Sequence, residues 1–143
     1  MINLKNGAIL DTDSYLYENS EWEDQLTSFN GKEITYDAIG NPLTIGSDIE
    51  LTWINGRSLN THSDSSKSLI VSYKYSNDGI RYEKTVNGST TKYYLEGTSI
   101  VYEEKGTRTI YYLYDATGVI GLKYNDSTYL FEKSMQGDCY KMV

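Results

Sequence analysis

Histidine, cysteine and proline are almost missing from this chain of 143 residues: each occurs once, as His62, Cys139 and Pro42. A single cysteine excludes an intrachain disulfide, so no covalent brace supports the fold. A single histidine removes the usual centre of a catalytic triad or a His-based metal site. His62 lies in a polar stretch and reads as a solvated loop side chain. Cys139 has only Lys133 and Lys141 as basic sequence neighbours and reads as a buried or edge cysteine, not a nucleophile. Asp11-Thr12-Asp13-Ser14 begins like a calcium loop but lacks the glycine and glutamate that such a loop needs further on. Glu103 and Glu104 are adjacent, which does not suit a carboxylate pair flanking a scissile bond. No catalytic residue, metal site or cofactor is expected, and the chain is read as a non-enzyme.

Cationic charge is scarce in one half only. Residues 1–72 hold four Lys/Arg against eleven Asp/Glu, whereas residues 73–143 hold nine of each. The net charge of −7 therefore sits in the first half. No Lys/Arg cluster offers a footprint for nucleic acid or an anionic membrane, and neither is expected as a partner. No apolar run approaches the length of a membrane span. The opening Met1–Gly7 has no basic segment followed by an apolar one, so an export signal is expected only on a longer parent. Helical periodicity is also missing; the best candidate for a helical turn is Ser20–Leu26, with Ser20 as cap and Glu23 three residues on.

What the chain has is tyrosine, fifteen residues beside two Phe and two Trp, and twelve glycines. Tyrosine suits a pleated, half-wet surface. Apolar residues alternate with polar ones: Ile49, Leu51 and Trp53; Leu69, Val71, Tyr73 and Tyr75; Tyr93 and Leu95; Ile110, Tyr112 and Tyr114; Ile120, Leu122 and Tyr124. Period two marks half-buried antiparallel strands. Turn residues separate the runs, including Asn30-Gly31, Asn55-Gly56 and Asn87-Gly88, which supply the positive φ that tight hairpins require. Asn87-Gly88-Ser89 and Asn125-Asp126-Ser127 match the glycosylation triplet but read as turn composition. Residues 58–68 are rich in Ser, Thr, Asn and Asp and read as a long hairpin loop or an insertion. The fold class is all-β, built from repeated antiparallel hairpins forming an open, twisted or spiralling sheet.

The hairpins repeat. Gly40, Gly56, Gly79, Gly97, Gly118 and Gly137 each follow an aromatic strand end, at intervals of 16 to 23 residues. The motif residues are Tyr36, Asp37 and Gly40; Trp53, Gly56 and Arg57; Tyr75, Gly79 and Arg81; Tyr94 and Gly97; Tyr114, Asp115 and Gly118; and Gln136, Gly137 and Asp138. Residues 1–14 read as an N-terminal segment with poor order expected, and residues 15–143 as one unit of repeats.

The texts Tyr36-Asp37-Ala38-Ile39-Gly40-Asn41 and Tyr114-Asp115-Ala116-Thr117-Gly118 resemble the YD motif of RHS/YD-repeat proteins. Trp22–Gly31 and Phe131–Asp138 resemble the last repeats before the RHS core of clostridial-type members. The resemblance covers about residues 15–140. It implies a segment of a β-shell that encloses or displays a C-terminal toxin or other cargo, secreted or at the cell surface as part of a longer parent. The family's self-cleaving aspartates and toxin would follow this stretch, so neither role falls on a residue here. The expected partners are the remaining shell or the cargo, and further copies of the chain through edge strands. The alternative reading is a module that binds glycan or protein through a tyrosine ladder (Tyr73, Tyr93, Tyr112 and Tyr129) or a free sheet edge.

Overall fold

The computed structural model of the protein describes residues 2–5, 8–134 and 137–143. The chain divides into two compact units, residues 1–70 and 71–143. The first holds strands β1 (Ile2–Lys5), β2 (Ala8–Thr12), β3 (Tyr15–Leu16), β4 (Ser28–Phe29), β5 (Lys32–Tyr36), β6 (Pro42–Ile45), β7 (Ile49–Ile54) and β8 (Ser58–Asp64). Strand β9 (Leu69–Tyr75) leads into the second, which continues with β10 (Arg81–Val86), β11 (Ser89–Glu96), β12 (Ser99–Lys105), β13 (Arg108–Asp115), β14 (Gly118–Tyr124), β15 (Ser127–Lys133) and β16 (Cys139–Met142). Strands β1 and β2 form a two-stranded sheet of their own. Strands β3 to β8 lie side by side in chain order, as do β9 to β16, and neither run closes on itself. The strand pairs among the described residues are all antiparallel, which is the all-β hairpin architecture expected from the alternation.

The turns form where the sequence places them. Asn30, Asn55 and Asn87 have φ near 50°, and Gly31, Gly56 and Gly88 lie between 75° and 82°. Two successive left-handed residues match the right-handed twist of the flanking strands. Gly79 has φ 77°, as its turn requires. A Cβ built on Gly88 meets no atom within 4 Å, so only backbone strain opposes a side chain there. Gly88→Val is expected to cost about 1 kcal/mol in a urea melt; an unshifted midpoint would mean that this turn tolerates another geometry.

Two local expectations are corrected. The polar stretch 58–68 is not a loop: Ser58–Asp64 is strand β8, paired with β7 along its length around one bulge. The tight Asn55-Gly56 turn sets that register, and the Thr52 and Thr61 hydroxyls meet across it at 2.6 Å. Cross-strand Thr pairs of this kind stabilise sheets despite low hydrophobicity. His62 consequently faces Leu51 in the ladder and is half-buried. The segment Ser20–Leu26 forms turns, not a helix, and Asn19 rather than Ser20 acts as the cap: its Oδ1 accepts from the amides of Glu21 and Trp22.

A 3-10 turn, Ser65–Lys67, follows β8 and is organised by Asp64. The Asp64 carboxylate accepts from the Lys67 ammonium at 2.8 Å, the Ser66 hydroxyl at 2.6 Å and the Lys67 amide at 3.2 Å. The Lys67 hydrogen bond, then the Ser66 one, holds its pKa down to about 2. A carboxyl depressed on folding contributes stability above its ordinary value near 3.8, and that contribution disappears as pH falls through its folded value. Stability should therefore decline between pH 4 and pH 2 more shallowly in Asp64→Asn than in the parent chain. An Asp64 titration near its ordinary value by carboxyl NMR would refute the arrangement.

Candidate functional site

The glycines aligned in the sequence lie at one end of their hairpins within each unit. In the first unit, turns 37–41 and 55–57 share one end; in the second, turns 76–80, 97–98, 116–117 and 134–138 do. The five-residue turns share one hydrogen-bond scheme. Asp37 N–H donates to the Asn41 carbonyl, Gly40 N–H donates to the Asp37 carbonyl, and Asn41 N–H donates to Asp37 Oδ1. Ser76 with Gly79 and Ile80, and Ser134 with Gly137 and Asp138, repeat all three bonds with the serine hydroxyl as acceptor. The motif aspartate is thus a turn organiser, and serine substitutes because one side-chain oxygen suffices. These bonds, led by the Asn41 amide, hold the Asp37 pKa below the usual carboxylate range. Asp115 is depressed as well, chiefly by the Thr117 hydroxyl, but its loop has only two residues, Ala116 and Thr117.

Beside every such turn the return strand carries one extra residue. The register shifts leave Leu43, Asn60, Tyr82, Val101, Ile120 and Tyr140 without a direct partner. The hairpins that turn at the opposite end show no shift. A bulge interrupts the ladder and increases the local twist. Tyr36, Trp53, Tyr75, Leu95 and Tyr114 face the residue just before the extra one. Three of these aromatics satisfy a carbonyl of the preceding hairpin. Trp53 Nε1 donates to Pro42 O at 2.7 Å, and the Tyr114 hydroxyl donates to Ile100 O at 2.7 Å. The Tyr36 hydroxyl donates to Leu26 O in the same fashion. The motif aromatics therefore stitch consecutive hairpins at the bulge.

The register puts Leu95, not Tyr94, at this position, because Gly97 opens a two-residue loop instead of closing a longer one. Tyr94 points to the other face. Its ring lies 5.1 Å from that of Tyr102, which lies 4.4 Å from Tyr111. Its hydroxyl donates to Glu104.

In the first unit the two motif turns are locked together. Asn41, buried to 3% exposure, donates from Nδ2 to both Asp37 Oδ2 and the Gly56 carbonyl. Arg57 Nη2 donates to Ile39 O. The Trp22 ring covers Gly40, where a Cβ would clash with it.

In the second unit, Tyr73, Tyr93, Tyr112 and Tyr129 share one face, as the ladder reading expects. The registers Tyr93↔Glu103↔Ile110 and Tyr112↔Leu122↔Tyr129 fix this. All four are half-buried. Arg81 leans over two of the rings, 5.3 Å from Tyr73 and 5.5 Å from Tyr93. Burial, the Glu103 charge and a hydrogen bond to Glu103 push Tyr112 up to about 12. Burial likewise raises Tyr93 and Tyr75. The face is apolar in its rings and carries charges of both signs among them, Arg81 and Lys84 beside Glu103. Val71 is the only fully buried apolar side chain among the described residues, so neither unit has a closed core of its own.

The reactive residues are scattered. Cys139 is exposed on β16. Glu103 and Glu104 point to opposite faces, as neighbours on a strand must. Asp13 accepts from Asn30 Nδ2. No group of three or more His, Cys, Asp or Glu among the described residues is arranged to hold a metal ion. Gln136 lies outside the described residues. Asn41, Leu95 and Glu103 escaped the motif reading; the residue after the turn glycine, Asn41 here and Asp138 at the last turn, was the signal available for the first.

No family model matches the chain. It is 30% identical over 120 residues, 80% of its length, to the tRNA3(Ser)-specific nuclease WapA of Bacillus spizizenii. It is 35% identical over 77 residues, 53% of its length, to the tRNA nuclease WapA of Bacillus subtilis strain 168. The chain spans 5% and 3% of the length of these curated relatives. The matches support an RHS-like family and nothing finer.

Proposed function

We propose that the chain is a non-catalytic repeat module, one segment of a β-shell that encloses or displays a C-terminal cargo carried by a longer parent. The supporting observation is a tyrosine face that is half-buried, mixed in charge and backed by no closed core in its unit. A sheet face of that kind calls for a cover. Rings with phenolic rims and isolated charges suit loose contact with a polypeptide better than tight, specific grip. The nuclease names of the relatives describe whole proteins of which this chain matches a small part, so the cleaving activity is assigned to other regions. On the same reading the parent is secreted or displayed at the cell surface, as the resemblance to RHS proteins implies.

Hydroxyl-radical footprinting of the chain alone and within its longer parent tests the reading. Tyr73, Tyr93, Tyr112 and Tyr129 should lose reactivity in the parent. Equal labelling in both would reject an enclosing role for this face. Cleavage of tRNA by the isolated chain, abolished by a point variant, would reject the non-catalytic role. Saturable glycan binding lost in Tyr112→Ala would replace the shell with a carbohydrate-binding module. We also propose that the isolated chain associates through edge-strand pairing: β16 has one neighbour, β15, among the described strands. A clean monomer by light scattering at micromolar concentration would remove that element.

A further inference from the structure

We propose that the Gly106-Thr107 turn of the second unit is a binding site for a phosphate group. Lys105 and Arg108 are direct register partners on the two sides of this turn. Like charges directly opposite on neighbouring strands repel, and a sheet ordinarily avoids the arrangement. Both side chains are exposed, and neither belongs to an ion pair among the described residues. Three of the other lysines on this unit's strands face a carboxylate across the ladder: Lys74 meets Glu83, Lys92 meets Glu104 and Lys141 meets Glu132. Lys105 and Arg108 instead have each other as cross-strand partners.

A hollow of about 410 Å³ opens beside the two cations, lined by Ser89, Lys105, Gly106, Thr107 and Arg108. It combines a planar guanidinium, a point-charge ammonium and two hydroxyls, and holds no carboxylate. That donor set matches a tetrahedral oxyanion, which accepts a forked pair of bonds from arginine and single bonds from the rest. A neighbouring hollow of about 190 Å³ shares Lys105 and Arg108 but adds Glu103 and Glu104. Those carboxylates disfavour an anion there, so the phosphate belongs on the Ser89–Thr107 side. Two cations are too few to follow a nucleic-acid backbone, whose binding rests on many phosphate contacts. The ligand is accordingly a single phosphate group, free or carried on a small molecule.

Inorganic phosphate is the probe, titrated calorimetrically into the full chain. One saturable site is expected, with affinity reduced about tenfold or more in Arg108→Gln and in Lys105→Gln, as loss of a charge-assisted bond implies. A titration with glycerol phosphate asks whether an esterified group enters as well as the free ion. Thermal melts supply the second readout. In chloride Arg108→Gln should melt higher than the parent chain, because the repulsion is gone. In phosphate at matched ionic strength the parent should gain and the variant should not. An equal gain in both would be the general salting effect of phosphate and would overturn the proposal, as would the absence of saturable heat.

Discussion

Gly121→Ala is expected to lower stability by about 3 kcal/mol, a fall of roughly 10 °C in melting temperature for a chain of this size. The residue lies inside β14, paired with Leu130 of β15. It is among the few fully buried residues. A methyl built on it runs into the Tyr129 carbonyl oxygen, with Leu130 Cα at 3.2 Å and Cδ2 at 3.1 Å. Two of the three obstacles are backbone atoms, so relief requires β14 and β15 to separate and their ladder to weaken. Backbone strain is not the cause, because the φ of Gly121 is not among the positive ones. Glycine within a strand often marks such a close approach. The penalty should grow from Ala to Val at position 121, whereas at Gly88, surrounded by open space, it should depend little on side-chain volume. Urea melts of the four variants decide; a Gly121→Ala chain as stable as its parent would mean that the strands are spaced more widely here.

Asn41→Ala is the second large effect, at about 2–3 kcal/mol. Its Nδ2 supplies both Asp37 Oδ2 at 2.8 Å and the Gly56 carbonyl at 2.7 Å. Truncation leaves the Gly56 carbonyl without this donor and frees two motif turns from each other. Asn41→Asp should be worse than Asn41→Ala, because a carboxylate cannot donate and would stand against the depressed Asp37 carboxylate. Once Asp37 has been changed to Ala, replacing Asn41 should cost less than it does alone, since the two share one network. Additive losses in that cycle, or an Asn41→Asp variant as stable as the parent, would show that the lock does not hold the turns.

The candidate surface was readable in part for a plain reason. A tyrosine ladder at period two needs only alternation to reveal its common face, and Tyr73, Tyr93, Tyr112 and Tyr129 do share one. Arg81 leaning over two of those rings was not visible, because it comes from the strand between them and leans across a bulge. The stretch 58–68 was misread because its composition is that of a loop, while hairpin pairing with β7 made Ser58–Asp64 a strand. Pairing energy is non-local, and it overrode a weak local preference.

By itself the sequence determined the alternating strands, the hairpins, their repetition and the positive φ of the Asn-Gly turns. These follow from side-chain alternation and from the steric freedom of Asn and Gly, both of which act within a few residues. Only the tertiary structure decided the register. Pairing across strands placed the extra residue on the return strand beside each motif turn, moved the motif position from Tyr94 to Leu95, pressed Gly121 against the Tyr129 carbonyl and set Lys105 opposite Arg108. A slip of one residue would send every side chain to the other face, and that choice is made between strands, where no single strand's sequence can make it.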